Sequence, residues 1–139
     1  MRTAVDTSVL LDLLTDDPDY AEHSENALKR AMAEGVIIVC ETVVAEVLPV
    51  LGKEALSAFF EDWGIQFIPG DFASAQLAGL HFARYLQRTQ NRRVMVPDFL
   101  IGAHAQTHSD RLLARDRGYL RDYFTTLAVW LPARRENEK

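Results

Sequence analysis

The opening stretch Arg2-Thr3-Ala4-Val5-Asp6-Thr7-Ser8-Val9-Leu10-Leu11 passes from a short extended run into helical patterning across a single acidic residue. Arg2 to Val5 reads as a strand, and Thr7 to Leu14 as a helix with Val9, Leu10, Leu13 and Leu14 on one side. The same succession recurs along the chain. Asp17-Pro18 reads as the start of a second helix, an N-cap acid followed by proline at the first helical position, and Gly35 stops that helix after about Glu34. Val36-Ile37-Ile38-Val39 is a continuous apolar strand of the kind buried on both faces. Helical patterning resumes near Glu41 and reaches about Leu51, with Pro49 bending or ending it. Glu54 to Trp63 reads as a helix, Ile65 to Ile68 as a strand, and Asp71 caps a long helix to about Asn91. Pro97 starts the helix that carries Asp98, Arg111 to Ala114 is a strand, Asp116 begins a short helix, and Leu127 to Trp130 is the last strand. This alternation predicts an α/β fold, a central parallel sheet of four to five strands flanked by helices.

The 139 residues suffice for one domain with a real core and are too few for two. No apolar stretch approaches the roughly 20 residues needed to span a bilayer. The first apolar run is broken at once by Asp12, Asp16 and Asp17, so no signal peptide is expected and the chain reads as cytoplasmic. Cys40 is the single cysteine, which excludes an internal disulfide and a Cys-rich zinc site; it reads as a buried structural thiol. The net charge of −5 is uneven: residues 1–71 carry 14 acidic and 4 basic side chains, residues 72–139 carry 6 acidic and 11 basic. An acidic total disfavours a protein that coats nucleic acid non-specifically. It still permits a basic surface beside an acidic pocket. The basic side chains of the second half are arginines almost without exception, from Arg84, Arg88, Arg92 and Arg93 through Arg111, Arg115, Arg117 and Arg121 to Arg134 and Arg135. Arginine's planar fork suits phosphate, and a solvated helix face is the plain alternative for each.

Four acids, Asp6, Glu46, Asp98 and Asp116, stand beside strands or near helix starts. In a parallel sheet the site lies outside the carboxyl ends of the strands, where Asp6 and Asp116 belong and where Asp98 sits at the same level. Converging carboxylates repel one another unless a cation lies among them, so the pattern points to a divalent metal site. Taken singly, Asp6 and Asp98 could be ordinary helix-start residues. Glu46 is the anomaly. It lies inside a helix among Val43, Val44, Val47 and Leu48, and must point away from the packed face or find a partner.

The ordered pieces Val5-Asp6-Thr7-Ser8-Val9-Leu10-Leu11, Val44-Ala45-Glu46-Val47-Leu48, Val96-Pro97-Asp98-Phe99-Leu100-Ile101-Gly102-Ala103 and Leu112-Leu113-Ala114-Arg115-Asp116-Arg117-Gly118-Tyr119 resemble the PIN-domain ribonucleases, and within them the VapC toxins of bacterial toxin–antitoxin pairs. The resemblance implies a single PIN domain over residues 1–133, followed by a polar tail at 134–139. It implies a Mg2+-dependent endoribonuclease (Mn2+ being the other candidate) with Asp6, Glu46, Asp98 and Asp116 as catalytic acids. Asp6 and Asp98 are the leading direct ligands, Asp116 the next, and Glu46 binds directly or through water. Thr7 and Ser8 match the family's small hydroxyl positions, and Arg115 and Arg117 are candidates for positioning substrate. The implied partners are an RNA substrate, a cognate antitoxin and a second copy of the chain in a homodimer. One departure stands out: relatives often place Thr or Ser two residues before the last acid, where this chain has Ala114. The chemistry agrees, because Mg2+ prefers oxygen ligands and can activate a water for attack on a phosphodiester.

Other readings fit less well. A PIN nuclease of RNA maturation without an antitoxin, and a non-catalytic PIN-like binding module, are the alternatives. A phosphoacceptor receiver domain needs a late lysine that Lys29, Lys53 and Lys139 do not supply, and a haloacid-dehalogenase-type phosphatase needs an acid where Ser8 stands. His104 and His108 lack the glutamate of a zinc-protease motif and read as structural. Neither a P-loop nor a nucleophile elbow occurs. Phe59, Phe60, Phe67, Phe72, Phe82 and Phe99 read as core, and Asp122 as an exposed acid.

Overall fold

A computed structural model describes residues 1–89, 94–115 and 118–132. Five strands form one sheet: β1 (Arg2–Val5), β2 (Val36–Val39), β3 (Ile65–Phe67), β4 (Arg111–Leu113) and β5 (Val129–Trp130). The seven helices described are α1 (Thr7–Leu14), α2 (Ala21–Glu34), α3 (Glu41–Leu51), α4 (Lys53–Trp63), α5 (Phe72–Arg88), α6 (Val96–His108) and α7 (Gly118–Tyr123). The strand order is β3-β2-β1-β4-β5 and every pairing is parallel, as the strand–helix alternation predicts.

Register places Ala4 of β1 between Ile38 of β2 and Leu112 of β4. The chain builds outward from β1 through β2 to β3, then crosses back and builds the other way through β4 to β5. The reversal falls between β1 and β4, and a crevice opens beyond the carboxyl ends of such a pair. The backbone holds the two ends together there, with the Asp6 N–H donating to the Leu113 carbonyl at 2.9 Å.

Val5, Ile37, Ile38, Val39, Leu112 and Leu113 are buried under the helices, together with Leu10, Leu28, Phe99, Leu120 and Phe124. Each large side chain so buried contributes on the order of 1.5–3 kcal/mol relative to exposure. The apolar run of β2 is buried as its sequence predicts, and Cys40 lies in the same core. Asp71 caps α5 as expected, accepting from the Ser74 N–H at 2.8 Å while the Ser74 hydroxyl accepts from the Asp71 N–H at 2.9 Å.

Several boundaries shift. The second helix begins at Ala21, because Asp17 spends its carboxylate on the N–H groups of Asp19 and Tyr20 and forms a turn ahead of the helix. Pro49 lies within α3 and does not break it; the helix ends two residues later. Gly35 follows α2 for a packing reason, since a Cβ there would lie 1.9 Å from the Met1 carbonyl oxygen. The last strand is shorter than its apolar run, Val129–Trp130 alone. Phe67 and Phe72 are not core: they stand 51% and 78% exposed, and only Phe99 of the six phenylalanines is fully buried. The fifth helix ends at Arg88, short of the expected Asn91, because the backbone at Thr89 is already extended. Asp116, Arg117, Arg92, Arg93 and the polar tail with Arg134 and Arg135 lie outside the described residues. No helix among the described residues is long and apolar enough to cross a membrane.

Candidate active site

Asp6 follows β1 immediately and occupies the N-cap position of α1, yet its carboxylate makes no capping hydrogen bond. It accepts instead from the Ser8 hydroxyl at 2.8 Å. An N-cap acid that leaves the helix end open is oriented for something else. Half-buried at the carboxyl edge of the sheet, it lines a cavity of about 450 Å³ together with Thr7, Ser8, Glu46 and Asp98.

Glu46 reaches this cavity from α3. Its side chain points off the packed face that Val43 and Val47 bury, and it accepts from the Thr7 hydroxyl at 2.8 Å. That contact resolves the anomaly of an acid among apolar helical neighbours, because α1 supplies its partner. Asp98 arrives on the first turn of α6. Its carboxylate accepts from the Met95 N–H at 3.1 Å, closing the helix end, and its own carbonyl accepts from the Tyr119 hydroxyl at 3.3 Å. Asp98 therefore both fastens the start of α6 and lines the cavity.

Asp6 is the perturbed member of the group. Burial pushes the Asp6 carboxyl from its ordinary 3.8 up to about 6; the charges of Asp98 and Glu46 add to the rise, while the Ser8 hydroxyl and the Thr7 backbone oppose it. A cation would reverse this penalty. Among the described residues no three His, Cys, Asp or Glu side chains are grouped so that they could hold a metal ion by themselves. Asp116, the fourth acid of the sequence pattern, lies outside them.

The structure adds residues that the sequence reading passed over. Asp12, 4% exposed, faces the cavity from α1 along with Leu11 and Thr15. It accepts from Arg115 Nη1 at 2.7 Å and from the Ser24 hydroxyl at 3.2 Å. Asp17 completes the rim, 3.9 Å from the same Nη1. The signal was present: Ser8, Leu11, Asp12 and Thr15 recur at helical spacing on one face, with an acid interrupting a leucine run. Ala114, where relatives often carry a hydroxyl, is fully buried and presents only a methyl group. Arg115 lines the cavity, whereas Arg111 pairs with Glu34 and stacks on Trp130, and Arg88 stacks on Tyr123.

The remaining candidates play other parts. His104 is buried against the Ile68 carbonyl, 2.7 Å from Nε2, and burial holds its pKa below the usual histidine value. His108, one turn further along the same face with its ring centroid 5.1 Å from that of His104, approaches Asp71 at 3.2 Å. Both are structural, as expected. Asp122 is exposed beside Arg121.

With this geometry in place, comparison with known proteins decides the family. A family model described as the PIN domain matches residues 3–123. The chain belongs to the PIN-domain family. Solved structures agree with this PIN fold at low sequence identity. VapBC2 from Rickettsia felis, solved bound to a DNA fragment from their promoter, superposes with a TM-score of 0.73 at 16% identity, covering 94% of this chain and 98% of that one. DNA-bound VapBC from Salmonella typhimurium gives 0.71 at 12% identity, covering 96% and 99%. FitAcB from Neisseria gonorrhoeae gives 0.65 at 21% identity, covering 94% and 97%. No curated protein sequence matches the chain.

Proposed function

We propose that this PIN domain is a Mg2+-dependent endoribonuclease that acts as the toxin of a toxin–antitoxin pair. The observation that carries the proposal is the convergence of Asp6, Glu46 and Asp98, from three separate elements, on one open cavity where Asp6 is destabilised in its charged form. Carboxylates gathered in one crevice suit a cation, and an all-oxygen donor set suits Mg2+ or Mn2+ over zinc. Asp6 and Asp98 would hold the ion, with Asp116 as a third ligand. Such an ion supplies an acidified attacking water and neutralises charge developing on the phosphate.

The chain's own residues supply the order. Ser8 fixes the Asp6 carboxylate, and the Met95 N–H fixes that of Asp98, so neither must reorganise when substrate arrives. Thr7 holds Glu46 at the mouth, where a carboxylate can orient or accept a proton from the attacking water. The openness of the cavity admits a chain-like substrate such as RNA.

Support for the toxin role comes from the VapC-like motif order and from the VapBC structures that share the fold over nearly their whole length. On this reading the partner is a cognate antitoxin whose segment lies across the cavity and engages the acids. The chain functions as a homodimer in the cytoplasm. Sequencing of RNA ends after brief induction tests the proposal, comparing wild type with Asp98→Asn. New ends at defined sites in the wild type alone support it; identical ends in both sink it.

A further inference from the structure

A cavity that must accept a phosphodiester has an electrostatic difficulty here. Its described lining includes the carboxylates Asp6, Asp12, Asp17, Glu46 and Asp98, and Arg115 is the only basic side chain among the described lining residues. A polyanion approaching such a surface is repelled unless a cationic group meets it. Arg115 sits where that group is needed.

Its seating is unusual. Asp12 and Asp17 both address Nη1, at 2.7 and 3.9 Å, and the guanidinium lies 4.6 Å from the centroid of the Tyr20 ring. The other edge of the fork, Nη2 and Nε, has no acidic partner among the described residues. The side chain is 37% exposed and that of Asp12 only 5%, so the acid is the anchor and the arginine the presented group. Burying Asp12 is costly. Its carboxyl is pushed up by burial despite the opposing Arg115 and Ser24, and a leucine at this place in α1 would pack more cheaply. The aromatic face and the buried carboxylate together restrict a long, rotamer-rich side chain to one place at the rim.

We propose that Arg115, held by Asp12 against Tyr20, forms a phosphate subsite of this cavity, its open edge taking a non-bridging oxygen of an RNA phosphodiester beside the catalytic acids. Asp12 is then a positioning residue that acts through Arg115. The inference rests on the nuclease reading above and assigns one contact within it.

The test uses the full chain with Asp98→Asn as a cleavage-blocked parent and a labelled single-stranded RNA of mixed sequence as the probe. Affinity is measured across a salt series, and every variant is also melted. In that background Arg115→Ala weakens binding by about ten-fold and lowers the dependence of log K on log salt by about 0.7, the share of one phosphate contact on a single strand. Arg115→Lys restores the salt dependence and only part of the affinity, because a point charge replaces the fork. Asp12→Asn, which keeps the Ser24 contact, weakens binding in the same direction while Arg115 itself is intact. In the cleaving protein Arg115→Ala raises KM more than it lowers kcat. An unchanged affinity and salt slope in Arg115→Ala, with or without a lower melting temperature, overturns the subsite and leaves Arg115 as a counterion of Asp12. If the parent binds no RNA and the wild type cuts none, the nuclease reading has fallen and the subsite falls with it.

Discussion

Replacing Asp6 with asparagine tests whether the site is built around a cation more directly than loss of activity does. The folded protein lifts this carboxyl from 3.8 to about 6. A carboxyl raised in this way keeps its proton in the fold at a pH where the unfolded chain has already released it. The favourable contribution is therefore complete below the unfolded value and is lost as pH rises through about 6. Each ten-fold change in acidity is worth about 1.4 kcal/mol, so above that pH the charged carboxylate costs the cation-free fold up to about 3 kcal/mol, and on the order of 1–3 once the open side of the cavity is counted. Asparagine removes the charge and keeps an oxygen that can accept from Ser8. In chelator at about pH 7.5, Asp6→Asn should melt higher than wild type by several degrees, at roughly 3–6 °C per kcal/mol for a domain of this size. The gap should close on acidification toward about pH 4.5. Millimolar Mg2+ should raise the wild-type melting temperature and leave the variant nearly unmoved, since a ligand stabilises only the state that binds it. A variant that melts lower than wild type at neutral pH in chelator would refute the electrostatic argument. Equal stabilisation of both proteins by Mg2+ would refute the site.

Asp6→Ala and Asp98→Asn should each abolish RNA cleavage while far-ultraviolet circular dichroism stays unchanged; full activity in both would overturn the assignment of the acids. Chelation should stop cleavage and added Mg2+ or Mn2+ should restore it, so activity that survives exhaustive chelation argues against metal dependence. Thr7→Val removes the donor that holds Glu46, and turnover should fall about five- to ten-fold with Thr7→Ser close to wild type, the net worth of one hydrogen bond being about 1 kcal/mol. Gly102→Ala sets a methyl 2.7 Å from the ring of Phe124, which is 1% exposed and has nowhere to move. Despite the gain in helix propensity, chemical denaturation should show a loss of about 1–3 kcal/mol; a more stable variant would show that the core there is loosely packed.

How much of this was legible in the sequence depends on whether the signal was local. The strand Val36–Val39 and the capped start of α5 were readable because an apolar run and an Asp–Ser pair carry their meaning within a few residues. The acids at positions 6 and 98 were readable for the same reason, each fixed by the junction it occupies. The start of α2 was not, because Asp17 could cap either a helix or a turn, and the turn won by satisfying two successive backbone N–H groups. Phe67 and Phe72 were misjudged because apolar identity says what a residue prefers and not which face of a short edge strand or helix start it occupies.

The sequence by itself determined the alternation of elements, the parallel sheet, and the ordered acids that place the chain among PIN domains. The first two depend on periodicity and the family on a resemblance in motif order, and both survive without coordinates. Only the tertiary structure decided which side chains share a cavity. It brought Thr7 to Glu46 across 39 residues and Arg115 to Asp12 across 103, and it left the Asp6 carboxylate on Ser8 rather than in a helix cap. Contacts of that kind arise where the strand order reverses between β1 and β4. Their partners are chosen by how the sheet folds rather than by any neighbour along the chain.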